Sequence, residues 1–207
     1  AKKHKITALL GQETTYSESE SNSMTLNKFP VPNHGLDDIS VANVKEKSSG
    51  HSHSGIVSFF GRLNYSYADR YLLTFTMRAD GSSKFVKDNR WGYFPSAVAA
   101  WSLKGEDFLK DNTTVSEMKL RLGWGQTGQQ EGVADYGYFA NYSMSNGVNG
   151  SFYDITKDGY LARPNAYNPA LKWETTTTTN VGIDYGFLNS RVTGSLDVYY
   201  KKTTDLI

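Results

Sequence analysis

The chain contains no cysteine, which removes disulfides, thiolate metal sites and cysteine nucleophiles from consideration. It has almost no net charge: 22 Lys+Arg against 21 Asp+Glu leave +1, so no bulk electrostatic argument for a nucleic-acid partner exists. No run approaches the roughly 18 consecutive apolar residues of a membrane helix. That excludes a helical span only, because barrel strands alternate apolar and polar residues and leave a far weaker hydropathy signal. An initiator Met and a signal-like segment are also missing, and the sequence stops at Ile207 inside a patterned run, so a piece of a longer chain is expected.

What is present reads as β-rich: fourteen Tyr, ten Phe and nineteen Gly, with aromatics at 14%. The stretch YLLTFTMRAD at 71–80 puts Tyr71, Leu73, Phe75 and Met77 on one face and Thr74, Thr76, Arg78 and Asp80 on the other. Such alternation marks a strand with one apolar and one polar side. Seven runs of this kind are expected, at 4–16, 55–67, 71–80, 92–103, 118–127, 173–187 and 191–201. Val57, Phe59, Leu63 and Tyr65 oppose Ser58, Arg62, Asn64 and Ser66. Leu120, Leu122 and Trp124 oppose Lys119 and Arg121, and Val181 and Ile183 oppose Asn180 and Asp184. The run at 92–103 alternates poorly and carries Pro95, which cannot donate to a ladder.

The connections alternate in length. Segments 17–54 and 128–171 read as long loops and 68–70 and 189–190 as tight turns, with a helical turn expected at 106–110 inside the compact link 105–117. Long and short connections thus fall at opposite ends of one antiparallel sheet. Tyr65, Tyr67, Tyr71, Trp101, Tyr185 and Phe187 gather near the short-turn end, as an interfacial girdle would. Most runs reach the roughly 9–11 residues of a tilted membrane strand and exceed the usual 5–6 of a globular one. The expected fold class is all-β, an antiparallel transmembrane β-barrel segment. Two rivals are a soluble β-sandwich carbohydrate-binding module and a secreted β-rich hydrolase.

No catalytic constellation is visible, since no G-x-S-x-G elbow occurs, and the chain is not expected to be an enzyme. Gly123, Gly125 and Gly128 lack the following helix that a phosphate loop needs. They are expected instead to admit close backbone approach inside the barrel. Asp80-Gly81 is a turn signal. His51 and His53 share a strand face, but no third ligand is near in sequence, so no metal site and no cofactor are assigned. The loop aromatics Tyr136, Tyr138, Phe139, Tyr142, Phe152 and Tyr153 stand among Asn and Gly. They either stack on sugar rings or hold a lid protein, or pack the loop against itself.

Six segments carry a family resemblance: NYSYADRYLLT at 64–74, RADGSSKF at 78–85, WGYFPS at 91–96, MKLRLGWGQTG at 118–128, LKWET at 171–175 and YYKKTTDLI at 199–207. In order and spacing they resemble the SusC-like (SusC/RagA) branch of TonB-dependent outer-membrane transporters of Bacteroidetes. The resemblance covers the chain from about Gly55 to its end. It implies that residues 1–207 are a partial barrel domain, about seven strands of the 22-stranded, plugged class, with the plug and the closing strand lying outside this chain. It further implies outer-membrane localisation and import of oligosaccharides or peptides. The implied partners are a SusD-like lipoprotein lid, the TonB complex acting through the plug, and outer-membrane lipid.

Overall fold

The computed structural model describes residues 3–27, 43–145, 153–154 and 161–206. Seven long strands form one sheet: β1 (His4–Asn27), β2 (Asn43–Tyr67), β3 (Tyr71–Ser82), β4 (Trp91–Ser102), β5 (Val115–Gln129), β9 (Glu174–Phe187) and β10 (Val192–Thr204). Their order is β1-β2-β3-β4-β5-β9-β10, with every neighbouring pair antiparallel. Three short strands, β6 (Tyr142–Ser145), β7 (Tyr153–Asp154) and β8 (Leu161–Pro164), make a separate small sheet within the loop between β5 and β9.

Register converts seven local patterns into two continuous surfaces. One row across the sheet reads Ile6, Tyr65, Leu73, Ala99, Leu122, Val181, Val198. One residue along, on the other face, the row Thr7, Asn64, Thr74, Val98, Gly123, Asn180, Tyr199 is mostly polar. A slip of one residue in any strand would mix the two surfaces. Among the described residues nothing covers the apolar side: Leu73 is 50% exposed, Phe75 51%, Leu122 57% and Val181 50%. A soluble sandwich would bury these side chains against a second sheet, so that rival does not describe this molecule.

Two expectations change. Segment 17–54 is a long extension of β1 and β2 over much of its length, paired from Ser17↔Ser54 to Asn27↔Asn43, well past the end of β3 at Ser82↔Ile56. This arm is built largely from Ser, Glu and Asn. It has no apolar face, so a pattern of apolar alternation could not reveal it. Segment 128–171 likewise contains strands, although short ones.

Pro95 proves compatible with a central strand. Pairing of β4 with β5 begins at Ser96↔Gly125, so the proline marks the end of that ladder. The turn at 67–70 closes through the Arg70 N–H on Tyr67 O at 3.0 Å. Ala68 and Asp69 have φ of 52° and 58°, the left-handed pair of a type I′ hairpin turn. In the compact link, Lys110 N–H reaches Glu106 O at 2.8 Å, a single helical turn.

Candidate functional site

The short-turn end carries an aromatic row set by register: Tyr67 opposes Tyr71, which opposes Trp101. Their ring centroids are 6.3 Å apart in each step, and Tyr71 and Trp101 stack within 13° of parallel. Glu106 sits beneath this row, accepting from Trp101 Nε1 at 3.1 Å and from Arg70 at 3.2 Å. Hydrogen bonds from Trp101 and Tyr71, then the Arg70 charge, hold its carboxyl below the usual carboxylate range. Asp69 is lowered by its bond to Lys5, at 2.7 Å.

The polar face is cross-linked by ion pairs. Arg121 on β5 forks onto Asp184 of β9, with contacts of 2.8–3.1 Å, and reaches Asp197 of β10 at 3.0 Å. Gly182 lies opposite Arg121 in the register. A Cβ there would come within 2.8 Å of Arg121 Nη2, so glycine leaves the guanidinium its path across β9. Gly123, Gly125 and Gly128 make similar room, for the side chains of Asn180, Ser96 and Phe94. The close neighbours at these glycines are therefore residues of the same sheet, and no approach by another part of the protein is needed to account for them.

At the long-loop end, the segment RADGSSKF works as a clamp. Arg78 donates from Nε to Asp80 at 2.7 Å and from Nη2 to Ser58 at 2.9 Å, with Glu13 at 3.3 Å. Ser83 Oγ accepts from Gly55 N–H. Lys84 then holds the loop after β5, donating to Val133 O at 2.9 Å and pairing with Asp135 at 3.3 Å. Phe85, Phe94, Val133 and Trp173 form a small core, with Leu171 against it. Trp173 Nε1–H donates to Arg90 O at 2.9 Å, which satisfies the one polar atom of that ring. Burial of this kind contributes about 1.5–3 kcal/mol for a Phe such as Phe85.

Of the six aromatic candidates, four can be placed fully. Tyr136 hydrogen-bonds the ring of His53, with its hydroxyl 2.6 Å from Nε2. Burial and then the Asp135 charge push its hydroxyl pKa up. Tyr138 is half-buried, whereas Phe139 and Tyr142 are exposed. Tyr153 opens β7, with only its backbone described, and Phe152 lies outside the described residues. The rings anchoring this region are Phe85, Phe94 and Trp173, none of which stood out in the sequence as loop anchors.

His53 has a further neighbourhood. Register sets Glu18 opposite His53 and Glu20 opposite His51. The carboxylates that no local motif could supply thus reach His51 from another strand.

Residues 5–207 match the family model described as TonB dependent receptor-like, beta-barrel. TonB-dependent receptor SusC of Bacteroides thetaiotaomicron is 51% identical over 167 residues, covering 80% of this chain and 16% of that receptor. TonB-dependent receptor P26 of Formosa agariphila is 36% identical over 99% of this chain and 20% of its own length. Among solved structures, that of the RagAB peptide transporter superposes with a TM-score of 0.83 at 25% identity, over 100% of this chain and 22% of that one. The chain therefore spans about a fifth of the length of the relatives it matches. Its seven-stranded sheet is a segment of a barrel wall, and the chain belongs to the TonB-dependent receptor-like β-barrel family.

Proposed function

We propose that this chain forms part of the wall and outward loops of an importer in the cell outer membrane that takes up oligosaccharides, or peptides, with energy from TonB. The observation that carries the reading is the division of the sheet into an uncovered apolar side, with Leu73, Phe75, Leu122 and Val181, and a polar side tied by Arg121, Asp184 and Asp197. An apolar band facing acyl chains and a polar lumen are what a spanning barrel requires. The plug, the TonB-contacting segment and the barrel closure belong to parts of the protein outside residues 1–207, and a SusD-like lipoprotein would cap the outward end.

The ligand would meet the outward loops first. Phe139 and Tyr142 present open rings there, and Tyr136 and Tyr138 stand beside them; Phe152 and Tyr153 complete the proposed aromatic set. Ring faces interspersed with amides suit the apolar faces and hydroxyl edges of sugars. Titrating the full-length transporter and its lipoprotein partner with linear oligosaccharides and short peptides tests this. Saturable oligosaccharide binding that Tyr138→Ala plus Tyr142→Ala weakens about tenfold or more supports the reading. Unchanged affinity retires the aromatic site, and binding of peptides alone reassigns the substrate.

A further inference from the structure

The arm of β1 and β2 has little to fix its register. Period-two strands without an apolar face slip easily, because neither register buries more surface than the other. On one face of this arm, Glu18, Glu20, His51 and His53 form a two-by-two patch, with Glu20 opposite His51 and Glu18 opposite His53. His51 Nε2 lies 3.7 Å from Glu18 and its Nδ1 3.6 Å from Glu20. One donor atom from each of these three residues falls within 4.8 Å of the others.

We propose that Glu18, Glu20 and His51 bind a divalent first-row cation of the zinc type, which staples the two strands of the arm in register. Donor atoms bound to one zinc at about 2.1 Å stand about 3.4 Å apart. The glutamates are more than half exposed and turn freely, so the remaining distance closes by side-chain rotation. An imidazole with two carboxylates and no thiolate selects Zn²⁺, Ni²⁺ or Cu²⁺ over copper(I). Two neighbouring carboxylates also gain from a cation, since each otherwise repels the other. His51 ligates through one neutral ring nitrogen. His53 is held by the Tyr136 hydroxyl on the same face, which ties the stapled arm to the loop after β5. This inference does not depend on which solute is imported.

The test uses full-length transporter, freed of metal with a chelator and titrated with Zn²⁺ by calorimetry, alongside His51→Gln and Glu20→Gln variants. The expected result is one site lost or weakened about tenfold or more in both variants. In the unsubstituted protein Zn²⁺ should also slow proteolytic cutting within 17–27 and 43–54, an effect missing from His51→Gln. Equal Zn²⁺ affinity in all three proteins overturns the proposal, as does absence of saturable binding. Binding that survives His51→Gln and disappears in Glu20→Gln shows an oxygen-only site and overturns the imidazole assignment.

Discussion

Arg121 of β5 reaches diagonally across to Asp184 of β9 in a three-contact fork of 2.8–3.1 Å, while the residues flanking Arg121, Leu120 and Leu122, point to the opposite, uncovered side. Both charged side chains are about a quarter exposed. A pair so placed contributes modestly, and Asp184→Ala is expected to cost about 1 kcal/mol in denaturant unfolding of the full-length barrel. Gly182→Val should cost at least as much, because its side chain would occupy the guanidinium's path to Asp197. A neutral Gly182→Val would remove that explanation of the glycine.

Acid sensitivity should be traceable to Glu106. Its carboxyl is lowered by hydrogen bonds from Trp101 and Tyr71 and by the Arg70 charge. A depressed folded pKa stabilises the native state above the unfolded pKa, and that stabilisation fades as pH falls through the folded value. Thermal melts of the full-length protein, followed from neutral pH down through and below the ordinary carboxylate range, should therefore drop less steeply in Glu106→Gln than in the unsubstituted protein. Parallel curves would show that the carboxylate has no such linkage.

The small core at the long-loop end should govern the order of the loops above it. Phe94→Ala removes a buried ring packed edge-on against Trp173 and is expected to cost about 3 kcal/mol. The local readout is limited proteolysis of 129–141, which should quicken. Unchanged cutting would mean that the Lys84 contacts to Val133 and Asp135 hold the loop without the core.

The facing of the strands was legible in the sequence because a period of two assigns each residue a side without knowledge of its neighbours. Leu73, Leu122 and Val181 show this: read strand by strand, they meet in one row. The arm was hidden because Ser, Glu and Asn on both faces erase that contrast. Trp173 read as the first residue of a strand, yet it precedes β9 and turns its ring onto Phe85 and Phe94. Glu18, Glu20 and His51 come together only through long-range pairing. Tyr136's engagement with His53 depends on the arm and was hidden for the same reason.

Leu73 and Thr74, adjacent in β3, offer the most direct measurement of the account. Leu73 belongs to the apolar row, while Thr74 donates to Asn64 on the other face. With the full-length transporter folded into a lipid bilayer, Leu73→Arg should lower unfolding stability by about 2–4 kcal/mol and Thr74→Arg by about 1 kcal/mol or less. Equal costs at the two positions would contradict a sheet with lipid on one side and an aqueous passage on the other.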